Sequence, residues 1–229
     1  SDVCSSDLWG WENKNIDELV QTASELELSV AAFCTVFASL VDARQREVYI
    51  DGLKRSIEVA QRLGCSRLIT QTGAELTEVP REDQLLSLIQ GLKACAPILE
   101  ANDITLLVEP LNTLVDHEGY FLSRSAEAFD VVSAVNSPNV KILYDVYHQQ
   151  ITEGNLISTI RQNIDLIGHF HIADHPGRHE PGTGEINYHN VLKAIQGTEY
   201  SGWIGLEYRP SQASGKTLES ILTLAKSLS

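Results

Sequence analysis

The chain of 229 residues contains no methionine and no apolar stretch approaching the roughly 18–20 residues of a membrane-spanning helix. Basic residues are also scarce: 17 Lys and Arg stand against 31 Asp and Glu, which gives a net charge of −14. Such a charge repels phosphate backbones. The composition therefore argues against a membrane-spanning protein and against nucleic acid as a partner.

Cysteine is sparse, and its spacing is uninformative about metal or disulfide motifs. The four cysteines, Cys4, Cys34, Cys65 and Cys95, show no closely spaced pair. They are interpreted as buried thiols, which favours a reducing, cytoplasmic location. A glycine-rich phosphate fingerprint is also missing after the early strands, which argues against a doubly wound dinucleotide-binding sheet.

The first eight residues, SDVCSSDL, stand apart from the rest of the chain. They back-translate to a string that resembles a common sequencing adapter, and a chain without methionine has no ordinary start residue. Residues 1–8 are therefore expected to be a non-native, adapter-derived leader and are set aside in reasoning about the fold. Residues 9–229 are expected to form a single domain.

From residue 9 onward, strand-like and helix-like segments alternate. Six short apolar segments, beginning at residues 28, 66, 104, 140, 167 and 203, are predicted as strands, and a helix follows each one. A further helix is predicted at 15–27, and Gly64 is predicted to end the helix at 42–64. Alternating βα units with nearly continuous apolar strands indicate a parallel sheet.

The predicted fold is a (β/α)8 TIM barrel rather than an open sheet, because candidate ligands are spread over four strands. A complete barrel has eight strands and about 250 residues. The first strand, the first helix and the second strand are therefore expected to be missing, so that the barrel is truncated at its N-terminus.

Four metal-type side chains stand where predicted strands end. They are Glu109 in ITLLVEPLN (104–112), Asp145 in VKILYDVYH (140–148), His171 in IGHFHIAD (167–174) and Glu207 in WIGLEY (203–208). The C-terminal ends of barrel strands converge on one face, where active sites are built. Three carboxylates and one imidazole suit a hard or borderline divalent ion, so Mg²⁺ or Mn²⁺ is the expected cofactor, with no organic cofactor.

Two histidines lie close to this set in sequence. His148 is predicted to lie where its strand gives way to a loop and to lean inward, the alternative being a solvated loop histidine. His169 is two residues from His171 and hence on the same strand face. His171 is the preferred ligand because it is nearer the end of its strand, while His169 supports the metal, contacts substrate or lies in the core.

A long loop rich in glycine and proline, HPGRHEPGTGEIN (175–187), carries Arg178. Loops of this length in a compact domain are usually functional. The planar guanidinium suits a substrate carboxylate or oxyanion. The alternative is a brace within the loop, formed with Glu180. Weaker candidates for binding substrate hydroxyls are Asn112, Glu75, His117 and Tyr120.

With these residues in view, the chain resembles the hydroxypyruvate isomerase family, within the xylose-isomerase-like sugar isomerases and epimerases. The matching stretches are LLVEPLNT, GYFLSRSAEAF, YDVYHQQITEGNL, GHFHIAD, PGRHEPGTGEINY and GLEYRP, which cover nearly all of residues 104–210. The resemblance implies that Glu109 and Glu207 are metal ligands and the acid/base pair. It implies that Asp145 and the residue at 171 complete the metal site, and that His148 and Arg178 contact substrate.

One position departs from the pattern. The hydroxypyruvate isomerase branch often has Gln where this chain has His171, whereas ketose 3-epimerases have His there. The resemblance therefore implies a metal-dependent isomerase that converts hydroxypyruvate to tartronate semialdehyde, or acts on a similar hydroxy-carbonyl acid, through a cis-enediolate. The alternative is a ketose 3-epimerase acting on free sugars.

Two rivals of other classes use the same barrel. An apurinic-site endonuclease would need a richer set of metal ligands and a basic groove, which the charge argues against. A sugar-binding or regulatory barrel would have no need of both glutamates together with Asp145 and His171. The expected partner is a small hydroxy-carbonyl substrate, with a homo-oligomer left open.

Overall fold

The computed structural model describes residues 5–228, in which parallel strands alternate with helices. The strands are β1 (Ser5–Leu8), β2 (Ser29–Cys34), β3 (Arg67–Thr70), β4 (Thr105–Val108), β5 (Val140–Asp145), β6 (Ile167–Ile172) and β7 (Ile204–Leu206). The helices are α1 (Ile16–Glu25), α2 (Arg46–Leu63), α3 (Arg81–Ala101), α4 (Ser125–Val135), α5 (Val146–Thr152), α6 (Leu156–Asn163), α7 (Tyr188–Gln196) and α8 (Ser214–Lys226).

The strands form one sheet in sequence order, β1 to β7, and every neighbouring pair is parallel. The sheet curls so far that its two ends approach each other. A Cβ placed on Gly205 of β7 would lie 2.5 Å from the Asp7 carboxylate of β1. The nearly closed barrel with surrounding helices confirms the predicted fold.

Alternation along the strands divides the barrel into an outer and an inner layer. Leu106, Ile142 and Phe170 belong to the large core between the sheet and the helices, where complete burial of such a side chain stabilises by about 1.5–3 kcal/mol. Leu107 and Leu143 belong to a small separate cluster inside the barrel. Continuing this alternation places residues 109, 145, 171 and 207 on the inner face.

The predicted strand starts agree with the structure to within one residue, but the strand predicted at 140–148 is too long. It ends at Asp145, and α5 begins at the next residue. Asp145 causes this change, because its Oδ1 accepts hydrogen bonds from the backbone N–H groups of Tyr147 and His148 and so caps α5. His148 therefore lies on a helix rather than at a strand end.

The count of six strands is also short by one, because Ser5–Leu8 forms β1 and pairs in parallel with β2. The strand expected to be missing directly before α1 is thus present in the structure. Residues 1–4, the rest of the segment interpreted as a leader, lie outside the described residues. The non-native origin of residues 1–8 stays a prediction, since strand pairing depends on backbone geometry and not on provenance.

Two smaller predictions are confirmed. Gly64 follows α2 in the left-handed conformation, with φ 63°, and its backbone N–H caps the helix. Among the described residues, Cys34, Cys65 and Cys95 are buried free thiols, while Cys4 lies outside them.

Within residues 5–228, each helix is too short or too polar to cross a membrane.

Candidate active site

The register of the barrel strands brings the predicted ligands to one level at the barrel mouth. Asp145 on β5 pairs with His171 on β6, and His171 pairs with Gly205 on β7. Glu207 follows two residues after Gly205, and Glu109 directly follows β4. The inner faces of four neighbouring strands therefore supply the site.

The two carboxylate oxygens of Asp145 have different contacts, one with the start of α5 and one with the site. Oδ1 caps α5 through the N–H groups of Tyr147 and His148, at 2.8 and 3.2 Å. Oδ2 lies 3.7 Å from His148 Nε2. Because the capping contacts hold Oδ1, Oδ2 is presented to the barrel mouth in a fixed direction.

Glu109 and Glu207 both approach the same nitrogen of the His171 ring. His171 Nδ1 is 4.0 Å from Glu109 Oε1 and 3.5 Å from Glu207 Oε2. Burial, together with the negative charge of Glu207, raises the pKa of Glu109. Burial also raises the pKa of Glu207, but contacts with His171 and Arg178 outweigh it and hold that pKa low. The two glutamates thus occupy different electrostatic environments.

His171 is oriented by a carboxylate on the far side of its ring. Its Nε2 lies 2.9 Å from Asp7 Oδ2, while Nδ1 is buried and has no hydrogen-bond partner. Burial lowers the pKa of His171, but the contacts with Asp7, Glu207 and Glu109 raise it further than burial lowers it. With Nε2–H donated to Asp7, Nδ1 is the ring nitrogen that faces the two glutamates, and a bound cation would take the place of any proton there.

His169 shares the same carboxylate, since its Nε2 lies 3.0 Å from Asp7 Oδ2. Burial lowers the pKa of His169. Burial raises the pKa of Asp7, but hydrogen bonds with His169 and His171 lower it below the usual range. His169 therefore packs inside the barrel beneath the site, in agreement with a supporting role.

His148 reaches the same cluster from α5. The ligand-type atoms of Glu109, Asp145, His148 and Glu207 all lie within 4.8 Å of one another. Burial lowers the pKa of His148, which favours the neutral ring. The structure thus groups His148 with the three carboxylates, whereas the sequence predicts His171 as the fourth member, and His171 falls in a second such group with Asp7 and His169.

Arg178 lies beside Glu207, with Nη2 2.5 Å from Glu207 Oε2. Its guanidinium also lies over the Tyr147 ring, 5.1 Å from the ring centre. The backbone of Arg178 has φ 54°, and its carbonyl accepts a hydrogen bond from the N–H of Arg209. The loop is therefore held against the segment after β7 with this cation at the mouth.

Glu180 does not pair with Arg178. Its carboxylate accepts hydrogen bonds from the N–H and the hydroxyl of Ser211, at 3.0 and 2.5 Å. The Asp174 carboxylate accepts hydrogen bonds from the N–H groups of Gly182 and Ile186. Together these contacts fix the loop. The alternative of an Arg178–Glu180 brace is therefore wrong, since Glu180 is bound to Ser211 and the Arg178 side chain is bound to Glu207.

The weaker substrate candidates occupy supporting places. Glu75 lies 3.6 Å from the Arg81 guanidinium and joins none of the ligand groups above. Tyr120 accepts from the Thr72 N–H and donates to the Glu109 carbonyl, so it clamps the end of β4. The His117 ring lies 5.2 Å from the His148 ring. Their roles toward a substrate stay predictions.

Asn112 lies in contact with His148, and two residues that the sequence analysis leaves out complete its surroundings. Asp116 Oδ2 accepts hydrogen bonds from Asn112 Nδ2 and from the Tyr147 hydroxyl, at 2.8 and 2.9 Å. Burial raises the pKa of Asp116, but these two bonds keep it below its usual value. The position of Tyr147, two residues after Asp145, could have marked it as a site residue, whereas nothing in the sequence pattern marks Asp116.

The residues present fit a divalent cation. The His171 Nδ1 atom is buried and unpartnered, Asp145 Oδ2 is free of the helix cap, and two further carboxylates face the same point. Oxygen-rich sets with one imidazole suit Mg²⁺ or Mn²⁺. The raised pKa of Glu109 shows that its negative charge lacks a compensating positive charge, and a bound cation would supply one and favour the charged form.

Two cavities are open to solvent. One of about 310 Å³ lies at the carboxyl ends of β2 and β3, with Cys34 and Gln71 in its lining, and is of the size of a small-ligand pocket. The other, about 640 Å³, lies between α6 and α7. No carboxylate of the site lines either cavity, but the first lies at the same end of the barrel as the site.

Replacing Gly205 by alanine should weaken divalent-metal binding by about 10–100-fold, the usual effect of disturbing a residue that orients a ligand. The new Cβ would lie 2.8 Å from His171 Cδ2 and 3.1 Å from Nε2, so the ring must move. Calorimetric titration with Mn²⁺ measures the effect. Gly197→Ala is the control, since its Cβ meets nothing nearer than 3.5 Å. Unchanged affinity in Gly205→Ala would show that His171 does not bind the metal.

Comparison with known proteins gives a family profile and several relatives. The profile described as "Xylose isomerase-like TIM barrel" matches residues 2–226. Hydroxypyruvate isomerase of Escherichia coli (strain K12) is 39% identical over 166 residues, which are 72% of this chain and 64% of that protein. A 2-oxo-tetronate isomerase of Cupriavidus necator is 36% identical over 68% of this chain and 60% of that protein. The match thus spans slightly less than two thirds of these curated relatives.

A solved structure agrees with the fold over a larger share of the chain. The crystal structure of an AP endonuclease of family 2 from Brucella melitensis has a TM-score of 0.91 and 27% identity. It covers 96% of this chain, which in turn covers 87% of that one.

Proposed function

Because the chain belongs to the xylose isomerase-like TIM barrel family, we propose that it is a metal-dependent isomerase of small hydroxy-carbonyl acids. The leading substrate is hydroxypyruvate, converted to tartronate semialdehyde. Relatives named hydroxypyruvate isomerase and 2-oxo-tetronate isomerase support this substrate class. The activity is proposed for the whole enzyme.

One observation carries the proposal: the two glutamates that follow β4 and β7 converge on the imidazole of His171 on β6. Asp145 lies at the end of β5, the strand between β4 and β6. Glu109 Oε1 and Glu207 Oε2 lie 4.0 and 3.5 Å from His171 Nδ1. Two carboxylates on opposite sides of a bound substrate can remove a proton at one carbon and return it at the next.

Glu109, Asp145, His171 and Glu207 would hold the cation. When bound, Mg²⁺ or Mn²⁺ supplies Lewis-acid polarisation of the substrate oxygens and so acidifies the C–H bond between them. Asp145 and His171 are suited to holding the ion without taking part in proton transfer. Asp145 is fixed by its cap contacts, and His171 is fixed by Asp7.

The two glutamates exchange the proton. In hydroxypyruvate, one carboxylate takes a proton from the C3 hydroxymethyl group, and the C–H electron pair forms the C2–C3 double bond of a cis-enediolate. The proton is returned to C2, while the hydroxyl proton moves from the C3 oxygen to the C2 oxygen. No atom is gained or lost, so no external oxidant or reductant is required. General acid/base groups in such positions give about 10²–10⁴-fold acceleration.

A substrate panel tests this function. Full-length protein supplied with Mg²⁺ or Mn²⁺ is incubated with hydroxypyruvate, 2-oxo-tetronate and free ketohexoses, and products are identified by NMR. Isomerisation of the acids supports the proposal. Epimerisation of ketohexoses at C3 would replace it with the ketose 3-epimerase alternative, which the histidine at 171 favours.

The endonuclease alternative needs a different surface. Abasic DNA is a polyanion, and the chain carries a net charge of −14 with no excess of cations to receive it. A duplex containing an abasic site belongs in the same panel. Cleavage of that duplex at the rate of acid turnover would contradict the proposed substrate class.

Replacing Arg178 by alanine should reduce kcat/KM for hydroxypyruvate by roughly 10–150-fold and leave neutral ketoses much less affected. The guanidinium lies at the mouth beside Glu207 and is suited to a substrate carboxylate. Losing a charge-assisted pair costs about 1.5–3 kcal/mol. Steady-state kinetics on both substrate classes measure the difference.

Arg209→Ala is the matched control for Arg178→Ala. Arg209 contacts the same loop through its backbone, which the substitution retains. It should have little effect on either substrate class. An equal loss on acids and neutral ketoses in Arg178→Ala would show that the Arg178 side chain acts through its ion pair with Glu207 and not on a substrate carboxylate.

A further inference from the structure

Nε2 of His148 is a buried polar atom without a hydrogen-bond partner in the part of the chain that the structure describes. The side chain is 1% exposed, and Nε2 lies among the site carboxylates, 3.7 Å from Asp145 Oδ2. Such an atom is suited to two opposite tasks. It could lend a lone pair to a cation, or it could donate a proton to a substrate oxygen.

The other ring nitrogen decides between these tasks. His148 Nδ1 lies 3.2 Å from the backbone N of Asn112 and 2.7 Å from Asn112 Nδ2. The backbone N–H can only donate, so Nδ1 must present a lone pair to it. A proton on Nδ1 would meet two donor groups.

The orientation of the Asn112 amide is fixed independently of the histidine. Its Oδ1 accepts from the backbone N–H groups of Val115 and Asp116, at 2.9 and 3.2 Å. Its Nδ2 donates to Asp116 Oδ2 at 2.8 Å. Exchanging oxygen and nitrogen would oppose all three contacts, so the NH₂ group is the end that faces His148.

We propose that Asn112 is a positioning residue that holds His148 as the neutral tautomer with its proton on Nε2. In this tautomer His148 is not a metal ligand. It donates a hydrogen bond to an oxygen of the substrate. The role of the donor rests on the proposed function, whereas the tautomer does not.

This assignment separates the two histidines of the site. His171 donates Nε2–H to Asp7, so Nδ1 is the nitrogen that would bind the cation once it is deprotonated. His148 has the opposite arrangement, with its lone pair used outside the site and its proton inside. A donor aimed at an oxygen that gains negative charge during enediolate formation stabilises the transition state more than the bound substrate.

The tautomer is measured directly in the unmodified chain. The full-length protein, labelled with ¹⁵N-histidine and freed of metal with a chelator, gives long-range ¹H–¹⁵N spectra in which protonated and unprotonated ring nitrogens differ. His148→Gln assigns the signals. A protonated Nε2 with an unprotonated Nδ1 is expected, and a protonated Nδ1 would overturn the proposal. Loss of the Nε2 proton when Mg²⁺ is added would also overturn it.

Asn112→Asp changes the tautomer without changing the shape of the side chain. The carboxylate presents an acceptor to Nδ1 at the 2.7 Å contact, while the backbone N–H of residue 112 still lies 3.2 Å away. A charge-assisted hydrogen bond is stronger than a neutral one, so the proton should move to Nδ1 and leave Nε2 without one. kcat/KM for hydroxypyruvate should fall roughly tenfold or more, mainly through kcat. A shifted tautomer with unchanged turnover would show that His148 does not donate to substrate.

Asn139→Asp is the control for loss of a hydrogen-bonded, partly buried amide. Asn139 Nδ2 donates to the Ile104 carbonyl at 2.8 Å, at the start of β4 and away from the carboxylates. This variant should lose stability while the His148 signals stay unchanged. If Asn112→Asp does not fold, the spectrum of the unmodified chain still decides. If no substrate of the panel is turned over while Nε2 is protonated, the proposed function fails and the tautomer assignment stands.

Discussion

Replacing Glu207 by glutamine is expected to reduce kcat by about 10²–10⁴-fold while the barrel remains folded. The amide has the shape of the carboxylate, but it cannot accept a proton from carbon at neutral pH. In the structure, His171 and Arg178 keep the pKa of Glu207 low, so the wild-type carboxylate is ionised and has a free lone pair to accept the proton. Steady-state kinetics with hydroxypyruvate, alongside a circular dichroism spectrum, measure both parts of the expectation.

Glu199→Gln is the matched control, because the same chemical change is made at an exposed position before β7. It should retain normal turnover. Metal binding by Glu207→Gln has to be measured as well, since this residue is also a proposed ligand. Near-normal kcat in a metal-loaded Glu207→Gln protein would exclude Glu207 from proton transfer.

Removing divalent cations with a chelator is expected to abolish turnover, and Mg²⁺ or Mn²⁺ should restore it. Binding to the folded state alone stabilises a protein by about 2.7 kcal/mol when the ligand is at 100 times its Kd. For a chain of this size, that corresponds to a rise in Tm of roughly 5–10 °C. Thermal unfolding with and without the cation measures the shift.

Asp145→Asn should lose most of this metal-dependent stabilisation, because it exchanges a charged ligand for a neutral one. Asp165→Asn makes the same change at an exposed position before β6, and it should respond to the cation as the wild type does. A Tm that is insensitive to the cation in the wild type would remove the metal from the proposed function.

Much of the barrel could be predicted because its strands are short, apolar and regularly spaced. Leu107 and Leu143 point inward, and two residues later the same alternation delivers Glu109 and Asp145 to the mouth. A carboxylate after such a run is costly to bury without a partner, so its position is informative. Parallel pairing of β5 with β6 then places His171 at the same height in the barrel as Asp145.

The rest depends on contacts between residues distant in sequence. The composition after Asp145 predicts that the strand at Val140–Asp145 continues, yet Asp145 caps a helix and ends the strand. His148 thereby turns toward Asn112, 36 positions earlier. Composition does not indicate which ring nitrogen of a histidine forms a hydrogen bond with which amide. Ser5–Leu8 was set aside for its origin, and only the structure shows it paired with β2.

The shared carboxylate of Asp145 ties the barrel mouth to the outer wall. One oxygen faces the site and the other begins α5, whose Gln149 accepts a hydrogen bond from the N–H of Ser125, the first residue of α4. Glu153, directly after α5, accepts from the same N–H and from the Ser125 hydroxyl. These contacts connect Asp145 at the mouth through a single short helix to the start of α4. We therefore expect a filled site to oppose local opening of the α4–α5 edge, a surface away from the barrel mouth.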